Sequence, residues 1–217
     1  MGRIIRHSDL AREDVFVTTK VWNTDQGYES TLTAFDRSIS ALGFDYVDLY
    51  LVHWPMSDTM RETWRAMEEI LASGRVRAIG VCNHLRHHIE MLETFANTMP
   101  ALNQFEHHPR LQQRDLVRYC LDRGIAVQAW APIMRGRVSL IPELVQIAQA
   151  HGKTPAQVSI RWILQSGVIT IPKSVQPQRI AENAGIFDFA LTEAEMTAIA
   201  SLDRNERNGA DPFNFNF

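Results

Sequence analysis

The chain has 217 residues, of which 45% are hydrophobic and 22% charged, and this length and composition predict a single globular domain over residues 1–217. Its formal net charge of −3 gives no electrostatic basis for binding nucleic acid or an anionic membrane, so we expect a small, uncharged partner molecule. Two cysteines cannot form a disulfide framework or the paired ligands of a structural zinc site, and no apolar run approaches the roughly 20 residues of a membrane span, so we expect a cytoplasmic protein without a bound metal.

Short apolar runs alternate with longer segments of helical period along the whole chain, which is typical of repeated βα units and a parallel sheet. Between the runs, apolar residues three and four positions apart predict helices over residues 28–42, 58–73 and 112–123, each followed by a glycine in the C-cap position. The apolar runs themselves predict six strands, over residues 15–20, 46–53, 76–81, 101–106, 125–131 and 168–172.

The last third of the chain departs from strict alternation, because it contains two helices more than repeated βα units need. Residues 142–151 and 154–165 both precede the last strand, and the second helix opens on a Thr-Pro pair typical of a capped start. After that strand, the helix over residues 177–186 is followed by another, which begins where Thr192 and Glu195 form the pattern of a capping box.

This alternation fits either an open sheet or a closed barrel, and periodicity alone does not decide between them. An open nucleotide-binding sheet usually carries the motif G-x-G-x-x-G after its first strand, and this sequence has no such motif. A barrel of this type has eight βα units of about 25–30 residues each, so the six predicted strands would leave two units unaccounted for.

Parallel-barrel enzymes place their chemistry at the carboxyl ends of the strands, so the residues at those ends are the first candidates for a site. Taken singly, each has an ordinary structural explanation, such as a solvated lysine, a histidine bonded to a loop or a tryptophan in the core. Because all of them fall at the same end of consecutive units, folding would gather them around one pocket suited to an uncharged carbonyl compound and a flat ring. The candidates are Lys20, Trp22, His53, Trp54, Asn83, Gln104 and Trp130.

A second group of polar residues follows the last predicted strand and suggests a phosphate site. Lys173 and Ser174 come directly after the strand, whereas Arg179 and Asn183 share one face of the next helix, which also carries Glu182. Barrels commonly bind phosphate after their late strands, where a helix N-terminus adds positive potential. Two cations favour a phosphomonoester such as the 2′-phosphate of NADP, the alternative being a solvated basic helix start.

Five motifs, in order, resemble those of the aldo-keto reductases, in particular the bacterial diketogluconate and glyoxal reductases, and the resemblance extends from about Gly2 to Asp211. It implies an α/β fold of the (β/α)8 TIM-type barrel class, N-terminally incomplete here, with six of the eight parallel strands and two extra helices. It also implies NADPH-dependent reduction of an aldehyde or ketone to an alcohol. The motifs are residues 19–23 (TKVWN), 51–55 (LVHWP), 80–83 (GVCN), 103–109 (NQFEHHP) and 171–174 (IPKS), the last with Arg179, Glu182 and Asn183.

Carried over by position, the resemblance implies a role for each candidate residue. Lys20 would depress the pKa of the proton donor, and His53 would orient the substrate carbonyl. Trp22 and Trp54 would line the substrate pocket. At the nicotinamide end of the cofactor, Asn83 and Gln104 would hold the carboxamide and Trp130 would stack on the ring. At the other end, Lys173, Ser174 and Arg179 would bind the 2′-phosphate. Glu182 and Asn183 would contact the adenine.

The sequence departs from the family's pattern at its beginning. In relatives, two strands precede the segment that resembles residues 2–14, and the second bears a catalytic aspartate and tyrosine that have no counterparts here. General acid catalysis contributes about 10²- to 10⁴-fold, so we expect impaired reduction. Strand alternation puts Tyr50 on the face opposite His53, and Tyr28 begins a solvated helix, so neither is a good substitute.

A chain without the first two βα units would expose the sheet edges at its first and last strands. We therefore expect self-association or instability, although full-length members of the family are monomers. Two alternatives to an impaired reductase stay open: a non-catalytic NADP-binding barrel remnant, or a barrel enzyme of another class that uses Lys20 to form a Schiff base. The tail, with Phe213, Phe215 and Phe217, would either cover the substrate pocket or fray.

Overall fold

Helices and short strands alternate along the chain in the computed structural model, which describes residues 2–215. The strands pair in the order in which they follow one another, β1 to β6, and run parallel, which confirms the predicted α/β class and the six parallel strands. They are β1 (Thr18–Val21), β2 (Val47–Val52), β3 (Val76–Cys82), β4 (Leu102–Glu106), β5 (Ala126–Trp130) and β6 (Ile169–Thr170). The α-helices are α1 (Gly2–Arg6), α2 (Tyr28–Leu42), α3 (Met60–Ala72), α4 (Arg86–Glu93), α5 (Arg114–Leu121), α6 (Pro142–His151), α7 (Pro155–Gln165), α8 (Pro177–Ala184) and α9 (Glu193–Ala200).

The chain forms two compact units, Met1–Asn103 and Gln104–Phe217, here called unit 1 and unit 2. Unit 1 contains β1 to β3 with α1 to α4, and unit 2 contains β5 and β6 with α5 to α9. The boundary falls within β4, all five residues of which are buried. The single domain over residues 1–217 stays a prediction.

In unit 1, the three parallel strands end at the same edge of the sheet. Lys20 of β1 lies beside Leu51 of β2, and Val52 of β2 lies beside Val81 of β3. Every residue of β2 is buried, because this strand has a neighbour on both sides. The core includes Phe35 of α2 and three residues of α3: Trp64, Met67 and Ile70. This shared edge is what brings the strand-end residues of unit 1 together.

The best-signalled helices have the predicted bounds. α2 spans Tyr28–Leu42 and ends at Gly43, which adopts φ 68° and donates its N–H to the carbonyl of Ile39 at 2.8 Å. In unit 2, α7 begins after Thr154, whose side chain accepts the N–H of Gln157, and α9 begins after Thr192 with the same capping box. The two extra helices, α6 and α9, are both present.

Four features of the fold differ from the prediction: α1 and α4 were not predicted, and β1 and β6 are shorter than predicted. β1 begins three residues late, because Arg12–Asp14 form a 3-10 turn whose carbonyl at Arg12 accepts the N–H of Val15 at 3.3 Å. β6 has only two residues, since the chain leaves the ladder after Thr170. α4 was not predicted: its buried face combines His88 with only two apolar residues, Ile89 and Leu92, which is too short an apolar pattern to recognise.

Within residues 2–215, no helix combines the length and the apolar character that crossing a membrane requires. In the tail, Phe213 is 76% exposed, which argues against a core role for that ring. The prediction for Phe217 lies outside the described residues.

Candidate active site

In unit 1, the predicted strand-end residues Lys20, His53 and Asn83 lie at the edge where β1, β2 and β3 end. His53, directly after β2, donates its backbone N–H to the carbonyl of Val21 at 3.2 Å, and its own carbonyl accepts the side-chain amide of Asn83 at 3.0 Å. Asn83 has a φ of 58°, a left-handed conformation that asparagine tolerates better than most residues. Its side chain therefore links the ends of β2 and β3.

The imidazole of His53 is neutral at physiological pH. Burial, together with the positive charge of Lys20, lowers the pKa of His53 to about 4. Lys20 is half-buried at the end of β1 and makes no ion pair with any residue in the described part of the chain. A neutral imidazole beside a lysine can donate one N–H to a carbonyl oxygen, but it cannot act as an imidazolium acid near pH 7.

Two tryptophans flank His53. The Trp22 ring meets the imidazole edge-on, with the ring centroids 4.8 Å apart, and is 42% exposed. The Trp54 ring lies 6.4 Å from the imidazole and is buried, and its backbone carbonyl accepts the side-chain amide of Gln26 at 2.8 Å. Trp22 can therefore form an accessible wall beside His53, whereas Trp54 contributes more to the support behind it.

The three tyrosines within residues 2–103 are engaged away from Lys20 and His53. The Tyr28 hydroxyl bonds to Glu69, and Arg77 donates to the Tyr46 hydroxyl at 3.0 Å. Tyr50 is buried with its ring edge-on to Phe35 of α2, at 4.9 Å between centroids, so it faces the helices as strand alternation predicts. Within this part of the chain, no tyrosine hydroxyl is placed as a proton donor beside His53.

In unit 2, the residues predicted to bind the adenosine end of a dinucleotide line one cavity of about 560 Å³. Lys173 and Arg179 are exposed, and neither makes an ion pair within residues 2–215. Glu182 accepts the hydroxyl of Thr154 at 2.7 Å. The five predicted residues are Lys173, Ser174, Arg179, Glu182 and Asn183.

The same cavity has a wall that the sequence interpretation missed. The chain after β5 runs along it in a tight turn, in which Ala131 and Arg135 have φ values of 54° and 56°. These residues follow a strand end directly, so the rule that selected Trp130 could have been extended to them. The additional lining residues include Pro132, Ile133, Arg135, Gly136, Ser139 and Thr154.

The two remaining candidates of unit 2 lie on β4 and β5. Gln104 is buried, and its side-chain N–H donates to the side-chain oxygen of Gln128 at 2.5 Å. Trp130, at the end of β5, is half-buried, and its ring packs on the backbone at Gly209. Their assigned roles towards a nicotinamide stay predictions.

A family model described as "Aldo/keto reductase family" matches residues 1–204. The chain belongs to the aldo-keto reductase family. This confirms the predicted family and the oxidoreductase class of its members. Glyoxal reductase of Bacillus subtilis (strain 168) is 50% identical over 212 residues, which cover 98% of this chain and 77% of that protein.

Solved structures of aldo-keto reductases support the same assignment. The enzyme MGS-M4, from a Medee basin deep-sea metagenome library, is 42% identical and superposes with a TM-score of 0.97 over 100% of this chain and 81% of its own. A mutant of Gox0644, in complex with NADPH, is 43% identical, with a TM-score of 0.94 over 100% of this chain and 79% of its own. The predicted fold class of this aldo-keto reductase is thereby confirmed.

Proposed function

We propose that the chain binds NADPH through the cavity of unit 2 and reduces small aldehydes or ketones, at a low rate, to alcohols. The observation that carries the proposal is the convergence of five side chains, assigned from sequence to the adenosine end, on one cavity of about 560 Å³. Four of the five carry a charge or an amide, a composition suited to a polar, anionic ligand. The NADPH complex of the related Gox0644 mutant supports this choice of cofactor.

The chemistry of this cavity fits a phosphomonoester. Lys173 and Arg179 are cations without ion pairs in the described part of the chain, so a dianion would meet them without displacing an acidic partner. The Ser174 hydroxyl accepts the N–H of Gln176 at 3.1 Å, just before α8 begins, and donates to the carbonyl of the same residue at 3.5 Å. That donated bond is long and weak, so the hydroxyl proton can turn to a phosphate oxygen instead. The two cations and the hydroxyl of Ser174 together favour the binding of a 2′-phosphate. NADPH carries this group and NADH does not, so we expect NADPH to be preferred.

Unit 1 would hold the carbonyl group of the substrate. The neutral imidazole of His53 would donate an N–H to the carbonyl oxygen, and the charge of Lys20 would stabilise negative charge that develops there. Bound NADPH would supply the hydride. The exposed Trp22 ring would form a wall against a small substrate. Glyoxal, the substrate in the name of the 50% identical Bacillus relative, is of this class and is the first one to test.

Proton transfer to the carbonyl oxygen is the slow step that we expect in this chain. In the family, a tyrosine protonates the carbonyl oxygen, and the three tyrosines within residues 2–103 have their rings or hydroxyls committed elsewhere. Loss of a general acid costs about 10²- to 10⁴-fold in rate, so we expect slow turnover even when the chain is saturated with NADPH. The same observation favours a second candidate function, NADPH binding without turnover.

The deciding experiment is a fluorescence titration of the purified chain with NADPH and with NADH. Arg179→Ala should weaken NADPH binding about 10-fold or more, because a charge-assisted hydrogen bond contributes about 1.5–3 kcal/mol. NADH binding should not change. The matched control is Arg118→Ala, an exposed arginine of α5 that lies outside this cavity. Failure of the wild-type chain to bind NADPH would overturn the proposal.

Turnover is then measured as NADPH oxidation in the presence of glyoxal. Slow oxidation that His53→Gln abolishes would support the reductase. Tight NADPH binding with no oxidation above the protein-free rate would support the second candidate. The oligomeric state, where we predict self-association, is measured on the same sample by light scattering.

A further inference from the structure

A buried carboxylate at the end of β4 binds a segment of the chain about one hundred residues later. Glu106 is 1% exposed, and its two oxygens accept the backbone N–H groups of Asn208 at 2.6 Å and Gly209 at 3.1 Å. The Nε2 of His108 lies 3.0 Å from the same carboxylate and 2.6 Å from the side-chain amide of Asn208. These contacts fix residues 206–209, here called the tail segment, to the end of β4.

The carboxylate of Glu106 stays ionised at neutral pH. Burial alone would raise its pKa, but hydrogen bonds from His108, Asn208 and Gly209 outweigh the burial and leave the pKa of Glu106 below its ordinary value. Charge-assisted hydrogen bonds to backbone N–H groups are stronger than neutral ones. The tail segment is therefore held by more than packing.

The tail segment packs directly on the ring of Trp130. A Cβ added to Gly209 would lie 2.5 Å from Cη2 of Trp130, 3.3 Å from Cζ3 and 3.4 Å from Cζ2. These three atoms belong to the six-membered part of the indole. Only glycine at this position lets the backbone approach the ring so closely.

The tail segment also contacts the turn that forms the wall of the cofactor cavity. The Glu206 carboxylate lies 3.8 Å from Nη1 of Arg137 and 3.9 Å from Nη1 of Arg110. Arg137 belongs to the turn Met134–Leu140, in which Arg135 and Gly136 line the cavity. One short segment thus contacts both Trp130 and the turn that follows it.

We propose that Glu106 is a positioning residue for cofactor binding: by binding the tail segment, it presses Gly209 against Trp130 and fixes the plane of the indole ring. This inference rests on the proposed function, in which Trp130 stacks on the nicotinamide ring. A fixed indole would accept the flat ring without first losing side-chain freedom, so the anchor increases NADPH affinity. Glu106 itself touches neither substrate nor cofactor in this scheme.

Two variants test the proposal from opposite sides. Glu106→Gln keeps the size of the side chain and removes the charge that binds Asn208 and Gly209. Gly209→Ala keeps Glu106 and forces the indole or the tail segment to move, because the added Cβ has no room. The control is Glu90→Gln, the same change of side chain, which removes the 2.8 Å pair with Arg86 on α4 and leaves the tail segment untouched.

The readout is specific to Trp130. Its emission is obtained as the difference between each protein and the same protein carrying Trp130→Phe, and acrylamide quenching of that difference is measured without nucleotide. We expect both variants to make Trp130 more accessible to acrylamide and to raise the Kd for NADPH about tenfold, which corresponds to about 1.4 kcal/mol. In the Trp130→Phe background, Gly209→Ala should have little further effect on the Kd, because the colliding atoms are gone.

The outcomes separate this proposal from the proposed function. If the wild-type chain does not bind NADPH, the proposed function fails, yet acrylamide quenching still decides whether Glu106 positions Trp130. If either folded variant lowers the melting temperature but leaves both quenching and NADPH affinity unchanged, Glu106 is only structural and the proposal is overturned. If Glu106→Gln does not fold, Gly209→Ala and its rescue by Trp130→Phe decide alone.

Discussion

The residues proposed to hold the substrate carbonyl in unit 1 and those proposed to bind phosphate in unit 2 are held in opposite ways. In unit 1, the backbone N–H of His53 bonds to the end of β1, the side-chain amide of Asn83 bonds to the carbonyl of His53, and burial keeps the His53 imidazole neutral. In unit 2, Lys173 and Arg179 are exposed and have no ion-pair partners among residues 2–215. His53 and Asn83 are therefore fixed before any ligand binds, whereas Lys173 and Arg179 are exposed to solvent.

In the proposed function, this difference corresponds to two kinds of task. A group that orients a reacting carbonyl must already be in place, because its contribution to rate depends on geometry fixed before the reaction. A cation that captures a phosphate gains from staying unpaired, since an internal acidic partner would compete with the ligand.

The stability of unit 1 should depend strongly on its core. Trp64→Ala should lower the free energy of unfolding by about 3–5 kcal/mol, because truncating a large buried ring leaves a cavity. Trp64 is 1% exposed, so the matched control is Trp22→Ala, at 42% exposure in the same unit. Urea denaturation measures both. Equal losses for the two variants would mean that the core of unit 1 is not packed as described.

Acid should destabilise both units. Burial lowers the pKa of His84 in unit 1 to about 3 and that of His107 in unit 2 to about 4. An unfolded histidine takes up a proton near pH 6.5, whereas these two histidines stay neutral in the folded protein. Between pH 6.5 and 4 the unfolded state therefore binds more protons, and the free energy of unfolding decreases as the pH is lowered. We expect each of these two histidines to account for a loss of about 3 kcal/mol between pH 7 and pH 4.

Urea midpoints measured across this pH range test the acid effect. His84→Asn keeps a donor for the Cys82 carbonyl, which the His84 ring contacts at 2.7 Å, and should flatten the dependence. An unchanged slope in this variant would rule out His84 as a source of the acid sensitivity.

The two lysines should separate cofactor binding from turnover. Lys173→Ala should weaken NADPH binding about tenfold, the lower limit for loss of a charged hydrogen bond of about 1.5 kcal/mol. Lys20→Ala should leave the NADPH Kd nearly unchanged and should reduce any oxidation with glyoxal. Fluorescence titration and NADPH oxidation measure the two effects. The reverse pattern would contradict the division of tasks between the units.

The two capping threonines should have equal effects on stability but different effects on binding. Thr154→Ala and Thr192→Ala should each cost about 1 kcal/mol of unfolding free energy, because each removes an N-cap. Only Thr154 also donates to Glu182, at 2.7 Å, in the cavity wall. We therefore expect Thr154→Ala alone to weaken NADPH binding. Equal Kd values in the two variants would count against a role for Glu182 in the cofactor site.

Helices and strands were predicted correctly where the apolar period and the capping residues indicate the same bounds. α2 has an apolar period of three and four residues and a terminal glycine, and its bounds were predicted correctly. α7 and α9 were located by their capping boxes. α4 escaped prediction because a buried histidine interrupts its apolar face. β6 was predicted too long, since an apolar run does not reveal where its ladder partner ends.

The candidate site was predictable to the extent that it follows strand ends. Lys20, His53 and Asn83 were selected because parallel strands end at one edge, and that edge exists in unit 1. The anchor at Glu106 was not predicted, because its partners are 102 and 103 residues away and backbone N–H groups leave no trace in a sequence. The cytoplasmic location and the residue roles stay predictions.

By itself, the sequence determined the α/β class, the number of strands, the capped helices and the family, because these depend on local periodicity, caps and ordered motifs. The tertiary structure decided which ionisable groups are neutral, which cations have no ion pair and which segment contacts Trp130. Those properties depend on burial and on contacts between distant residues, and Coulomb and desolvation energies are set by such distances rather than by neighbours along the chain.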